Sequence, residues 1–131
     1  MASEIPSLSK VVRREDVRAY ADASGDQNPL HQSDEFAIGA GFPGVIAHGM
    51  FTMAHLATCL TRWLGDPARL KRMRAQFRAP VFIGDTIVAR GRIKTLDATT
   101  RRAVLEVWVT VERDGVTEYS IKRSEAEVDL A

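Results

Sequence analysis

A short polar stretch near residue 26 contains the residue types that proton-transfer chemistry uses. It reads SGDQNPLH, and it places the carboxylate of Asp26 five residues before the imidazole of His31. Pro29 fixes its own φ and keeps Asn28 out of the helical region, so this stretch is predicted to be a stiff turn. Asn28 can also hydrogen-bond the neighbouring backbone. A carboxylate and an imidazole on one pinned turn can converge on a small site, as acid–base catalysis requires, although turns of this composition are also common where no chemistry occurs.

The elements that position this turn are predicted from hydrophobic periodicity. Residues 15–23 have apolar side chains at helical spacing, and Ser33 is a suitable cap for a helical turn through residues 33–38. A longer helix is predicted at about 48–64, and because it is apolar on nearly every face we expect it to be buried. Gly65 fits its left-handed C-cap.

The second half of the chain alternates between apolar and polar residues, which predicts antiparallel strands over residues 70–130. In the first of these strands Met73, Ala75 and Phe77 are expected to face the core, and Asp114-Gly115 predicts a hairpin later in the chain. A buried helix and a curled antiparallel sheet fit together when the sheet wraps around the helix. We therefore expect an α+β fold of the hot-dog type, with residues 1–131 as a single domain.

Composition and charge argue against several classes of function. The chain has 131 residues and a net charge of +1, so no global field favours nucleic acid or a membrane surface as a partner. The single cysteine, Cys59, cannot form an intramolecular disulfide. No apolar run approaches the roughly 18 residues that a membrane-spanning helix needs. The first residues lack the pattern of a signal peptide, so the sequence predicts a cytoplasmic protein.

The sequence indicates no metal site and no cofactor. His48 and His55 lie seven residues apart on the long helix. That spacing separates them by about 10.5 Å along the axis, which is too far for one zinc ion. His55 is expected to be a packed or interface histidine. Cys59 lies among apolar residues in the same helix and is expected to be inert core.

Four segments together resemble one known family. The segment YADASGDQNPLHQSDEFA at 20–37 resembles the signature of the MaoC-like (R)-specific enoyl-CoA hydratases and 3-hydroxyacyl-thioester dehydratases. VIAHGMFTM at 45–53, RWLGDP at 62–67 and FRAPVFIGD at 77–85 extend the resemblance over most of the chain in the same order. Within the family, the chain most resembles the catalytic beta-type subunit of the mycobacterial (3R)-hydroxyacyl-ACP dehydratases.

The resemblance implies a reaction and an acid–base pair. The reaction is the reversible syn removal of water from a (3R)-3-hydroxyacyl thioester of CoA or acyl carrier protein, which yields the trans-2-enoyl thioester. His31 would remove the α-proton and Asp26 would protonate the departing hydroxyl, although the opposite assignment is also open because such a pair titrates as a unit. Asn28 would position the pair.

The resemblance also assigns an oxyanion role to the backbone N–H of Gly49, at the start of the long helix. This role agrees with the unpaired amides and positive dipole of a helix N-terminus. His48 is expected to contact the substrate as well. One family feature is missing, because Ala57 replaces a serine about two turns into the helix.

A basic run follows the long helix. The three arginines at even positions, Arg72, Arg74 and Arg78, should share one face of a strand. That face is either simply solvated or a contact for the phosphates of coenzyme A or for an acidic carrier protein.

Two other functions were weighed against the dehydratase. Thioesterases of this fold commonly place a carboxylate on or just before the central helix, and residues 48–64 contain none. A non-catalytic subunit of a heteromeric dehydratase typically lacks the Asp/His pair, which this chain keeps. Because a single curled sheet leaves exposed edges, we expect a homodimer or a heterodimer of such subunits.

Overall fold

The computed structural model describes residues 4–130, which form one antiparallel sheet and three α-helices. The elements are β1 (Leu8–Val11), α1 (Arg14–Ser24), α2 (Asp34–Gly39), α3 (Gly49–Leu64), β2 (Leu70–Arg74), β3 (Thr86–Leu96), β4 (Arg102–Arg113) and β5 (Val116–Asp129), with single 3₁₀ turns at Pro29–His31 and Pro67–Arg69. The strand order is β1-β3-β4-β5-β2. Within residues 4–130 no helix is both long and apolar enough to cross a bilayer.

The core lies between the sheet and α3, and the alternating pattern of β4 shows why. Every second residue of β4 from Ala103 to Val111 is buried, and these side chains pack with Leu56 and Leu60 of α3. Asp114 and Gly115 both have positive φ, at 51° and 78°, and they join β4 to β5 as the sequence predicted. The sheet curls around the helix, which confirms the expected hot-dog fold.

The ends of α3 agree with the prediction to within one residue, but its burial does not. His48 is the N-cap, and Gly65 ends the helix with a φ of 77°. The expectation that α3 is buried on every side is wrong, because Met50, Ala54 and Arg62 are exposed. These residues recur every four or eight positions and form one stripe along the helix. The sheet covers only the opposite face of α3, so this stripe faces away from the core.

Two parts of the sheet differ from the sequence prediction. β1 was not predicted, because four residues are too few to show a reliable alternation; its pairing with β3 defines it. β2 ends at Arg74, so the expected strand through Phe77 is wrong, and the side chain of Phe77 is nearly half exposed instead of facing the core. Beyond Arg74 an isolated bridge joins Phe77 to Ile121, and a few backbone hydrogen bonds, such as that from Arg78 N–H to the Ser120 carbonyl at 2.9 Å, continue the contact with β5 without a regular ladder. Pro80 follows shortly afterwards and cannot donate to a ladder.

Candidate active site

The polar turn is positioned by the end of α1. Gly25 has a φ of 79° and its N–H donates to the carbonyl of Ala21, which ends the helix and redirects the chain. The side chain of Asn28 accepts from the N–H of Leu30 at 3.0 Å and so caps the 3₁₀ turn. Asp26 Oδ1 in turn accepts from the N–H of Asn28 at 3.3 Å. Side-chain to backbone bonds therefore hold the turn, as the local sequence predicted.

The turn brings the carboxylate and the imidazole together. His31 Nε2 lies 4.0 Å from Asp26 Oδ2. His31 Nδ1 lies 2.6 Å from the carbonyl oxygen of Ile46. Because a carbonyl only accepts, Nδ1 carries the proton in the neutral ring, and Nε2 keeps a lone pair on the side of Asp26. The carboxylate is 53% exposed, whereas His31 is mostly buried. The pair thus presents an accessible acid and an oriented base.

His48 lies beneath this pair rather than on the surface of the site. It is 2% exposed, and its ring stacks on that of His31 with centroids 3.9 Å apart and planes at 24°. Its Nε2–H donates to the backbone carbonyl of Asp26 at 3.1 Å. The ring of Tyr20 also packs on His48, with centroids 4.9 Å apart. The expected substrate contact of His48 would require this buried ring to become accessible.

Gly49 begins α3 directly after His48. The carbonyl of His48 accepts from the N–H groups of Phe51 and Thr52, whereas Gly49 and Met50 occupy the first two helical positions, whose amides have no acceptor inside the helix. A Cβ on Gly49 would lie 3.4 Å from the ring of Phe77. The missing side chain therefore keeps a narrow space open between this ring and the start of the helix.

Phe77 is a site residue that sequence reasoning missed. The alternating pattern assigned it to the core, and only its contact with Gly49, 28 positions earlier, reveals its place. Ala57, which replaces the family serine, is followed by Thr58, whose hydroxyl donates to the carbonyl of Ala54. Thr58 therefore does not substitute for that serine in this structure.

The three arginines do not share one environment. Arg72 and Arg74 lie opposite Glu127 and Glu125 in the β2–β5 register, and Arg74 Nη2 lies 3.8 Å from Glu125 Oε2. Arg78 lies beyond the end of β2 and donates to Gln76 Oε1 at 2.9 Å. It directly follows Phe77 in the chain, and its backbone N–H donates to the carbonyl of Ser120 at 2.9 Å.

Asp26, His31 and His48 also offer possible metal ligands, with one atom from each lying within 4.8 Å of the others. Zinc would need all three atoms at about 2.0–2.2 Å from one point. The two imidazoles are stacked with centroids 3.9 Å apart and planes at 24°, so their in-plane lone pairs stay in two separate, nearly parallel planes and do not converge on one ion. One nitrogen of each ring already bonds a backbone carbonyl. The geometry favours proton transfer over metal coordination.

His55 and Cys59 lie further along α3, away from the polar turn. Burial lowers the pKa of His55, and its Nε2–H donates to the carbonyl of Leu8 at 2.8 Å. Burial raises the pKa of the Cys59 thiol, so the reactive thiolate is disfavoured. Both residues have the packing roles that the sequence indicated.

The fold and the site together define a hot-dog domain with a neighbouring carboxylate and imidazole beside the N-terminus of its central helix. Residues 4–119 match the family model described as a MaoC like domain, and the chain belongs to this family. This membership confirms the resemblance found in the sequence.

Three known proteins illustrate the similarity. A 3-hydroxybutyryl-CoA dehydratase of Methylorubrum extorquens is 37% identical over 99 residues, covering 75% of this chain and 63% of that protein. The 3-hydroxyacyl-thioester dehydratase Y of Mycobacterium tuberculosis is 34% identical over 121 residues, covering 81% of this chain and 39% of that protein. The solved (R)-hydratase from A. caviae involved in PHA biosynthesis has a TM-score of 0.85 at 27% identity, covering 99% of this chain and 96% of that one. The chain thus spans less than two thirds of the length of each of the two dehydratases.

Proposed function

We propose that the protein is a hydro-lyase that interconverts (3R)-3-hydroxyacyl thioesters and trans-2-enoyl thioesters. The observation that carries this proposal is the 4.0 Å approach of His31 Nε2 to Asp26 Oδ2 beside the start of α3. Syn elimination removes a proton and a hydroxyl group from neighbouring carbons on the same face of the substrate. An acid and a base side by side match that requirement. The names of the related dehydratases and hydratase support the same reaction.

His31 is the base in the dehydration direction. Its Nδ1–H is held by the carbonyl of Ile46, so Nε2 is the nitrogen available to accept the α-proton. The same hydrogen bond fixes the ring plane, so the accepting lone pair keeps its direction. Once Asp26 has also delivered its proton to the departing hydroxyl, its carboxylate lies near the positive charge on His31, which favours the charged pair.

Asp26 acts on the hydroxyl. In its protonated form it delivers a proton to the departing hydroxyl as the carbon–oxygen bond breaks, so that water leaves. In the hydration direction its carboxylate holds the attacking water. The 4.0 Å separation from His31 then allows a proton to return between the two groups through one water molecule, which resets the pair.

The N-terminus of α3 stabilises the negative charge that develops on the thioester oxygen. The amide of Gly49 has no acceptor within the helix and lies at the positive end of the dipole. Donors arranged in advance at such a position are often the largest contribution to catalysis. His48 directly precedes Gly49 in the sequence, and its ring stacks on that of His31. One residue therefore connects the oxyanion donor to the base.

We propose coenzyme A or an acyl carrier protein as the carrier, with Arg78 as the arginine that contacts its phosphate. Arg78 follows Phe77, whose ring borders Gly49, whereas Arg72 and Arg74 lie opposite glutamates.

The sheet ends in the short edge strands β1 and β2, and an exposed stripe of α3 lies on the uncovered side. Pairing with a second hot-dog subunit, identical or different, would cover such surfaces.

The purified protein should be assayed with crotonyl-CoA and with longer enoyl-CoAs. We expect loss of the enoyl absorbance without release of free thiol, and we expect His31→Ala to abolish it while the far-UV spectrum stays unchanged. Arg78→Ala should raise KM for CoA substrates more than Arg74→Ala does. Release of thiol with no hydration would instead support a thioesterase, and activity that appears only after adding a second hot-dog subunit would support a heteromeric enzyme.

A further inference from the structure

We infer that His48 is a positioning residue that orients the acid–base pair; the inference rests on the proposed function. His48 does not present itself to the substrate space, because it is 2% exposed. Instead, on the interior side of the site, it contacts the ring of His31 and the backbone of Asp26. Its role would be to keep the base, the acid and the oxyanion donor in one fixed arrangement.

Three contacts carry the inference. The ring of His48 stacks on that of His31 at 3.9 Å, which restricts rotation of the base. Its Nε2–H donates to the carbonyl of Asp26 at 3.1 Å, which holds the backbone that carries the acid. As the N-cap of α3, His48 is also covalently joined to Gly49. Through its ring and its backbone, His48 thus links the turn that carries Asp26 and His31 to the start of α3.

The protonation state of His48 points the same way. Since Nε2 donates to a carbonyl, Nδ1 is the unprotonated nitrogen of the neutral ring, and within residues 4–130 it is buried without a hydrogen-bond partner. When His31 takes up a proton, the face of a neutral aromatic ring stabilises the new cation. A charged His48 would repel it.

His55 provides a matched control on the same helix. It is also a buried histidine, 8% exposed, and its Nε2–H also donates to a backbone carbonyl, that of Leu8, at 2.8 Å. It lies seven residues from His48, about 10.5 Å along the helix axis. The two histidines therefore differ mainly in whether they touch the acid–base pair.

The experiment compares four variants of the full chain. His48→Gln keeps a donor but loses the ring, His48→Phe keeps the ring but loses the donor, and His55→Gln and His55→Phe repeat these changes at the control position. We expect kcat for crotonyl-CoA hydration to fall about tenfold or more in both His48 variants, with KM changed less than about threefold, because orientation is impaired and binding is not. The His55 variants should lose stability and keep kcat.

A spectroscopic measurement separates this inference from the proposed function. In ¹⁵N-histidine-labelled protein we expect His31 to show the Nδ1–H tautomer. We expect both His48 variants to shift its nitrogen signals toward an average of the two tautomers, and both His55 variants to leave them unchanged. Unchanged His31 signals together with kcat within twofold of wild type would overturn the positioning role. An inactive wild-type protein would contradict the proposed function, while the His31 signals would still test the inference.

Discussion

Two of the three Gly-Asp dipeptides in this protein, at 25–26 and 84–85, lie in turns with opposite outcomes. Gly25 and Gly84 both have positive φ, at 79° and 91°, and each precedes an aspartate. Asp85 is 3% exposed and accepts bonds from Arg113 Nε and Nη2 and from the N–H of Phe82, at 2.6–2.8 Å. Asp26 is 53% exposed, accepts from one backbone N–H and faces His31 at 4.0 Å.

The difference shows how partners decide the role of a carboxylate. The oxygens of Asp85 are occupied by two guanidinium donors and one amide, so the group ties the end of β4 to the turn before β3. Arg113 also lies over the ring of Phe82, 4.4 Å from its centroid, and its bonds to Asp85 raise its pKa. Asp26 is held in place, but its carboxylate oxygens can still accept further hydrogen bonds. A carboxylate of that kind can still exchange protons with a substrate.

The largest expected effect on activity concerns Asp26, the carboxylate with few hydrogen-bond partners. Asp26→Asn should lower kcat by about 10³-fold, because it removes the proton donor while preserving shape. Its free energy of unfolding should change by less than about 0.5 kcal/mol, since the side chain is half exposed and has few partners. Hydration kinetics and urea unfolding of the same sample test both parts. Near wild-type turnover would remove Asp26 from the mechanism.

Asp85→Asn should show the reverse pattern. We expect it to lower the free energy of unfolding by about 2 kcal/mol, because Arg113 loses its compensating charge; the 37% exposure of the Arg113 side chain keeps the loss below that of a fully buried pair. Removing both partners, as Asp85→Asn with Arg113→Met, should recover part of that loss. The activity per folded molecule should stay close to wild type. Urea midpoints that are equal for Asp26→Asn and Asp85→Asn would refute the distinction between the two turns.

Gly49 tests whether the start of α3 needs space rather than a special backbone. Gly49→Ala places a Cβ about 3.4 Å from the ring of Phe77, so a methyl group fills the narrow space beside the Gly49 amide to which we assign the oxyanion role. We expect kcat/KM to fall about tenfold, as a small displacement of a reacting group does. Gly39→Ala is the control, because a Cβ there meets nothing within 4 Å. Adding Phe77→Leu should restore activity to Gly49→Ala if filling of that space is the cause.

The smallest expected effect is the pH dependence contributed by His55. Burial lowers its pKa in the folded protein, whereas the unfolded chain has the ordinary value of about 6.5. The unfolded state therefore binds the proton first as pH falls, so this contribution to stability is complete above about pH 6.5 and is lost progressively below it. His55→Gln should reduce the loss of stability between pH 7 and pH 5.5. Thermal melts of the wild-type and His55→Gln proteins across that range test this expectation. The same pH dependence in both proteins would contradict it.

Much of the site could be predicted because its parts are local. The Asn28–Pro29 pair and Gly25 determine the turn through backbone sterics and short side-chain to backbone bonds. The ends of α3 follow from the chain direction at His48 and from Gly65. Along β4 the alternation of apolar and polar residues indicates which face of the strand is buried. This indication does not depend on which strands pair with β4.

The features that the sequence did not reveal all depend on distant contacts. β1 exists because β3 offers it a partner, and Phe77 belongs to the site because its ring meets Gly49. The glutamates opposite Arg72 and Arg74 come from β5, some 50 residues later. No local pattern contains information about these pairings.

The sequence by itself determined the turn that carries Asp26 and His31, the limits of the central helix and the long strands β3 to β5, because backbone sterics and periodic burial act over a few residues. Only the tertiary structure decided that the carboxylate of Asp85 is fully hydrogen-bonded while that of Asp26 can still bind other groups. It also decided that the ring of His48 stacks under that of His31. The reason is physical: hydrogen-bond saturation and removal from water depend on which distant groups the fold brings together.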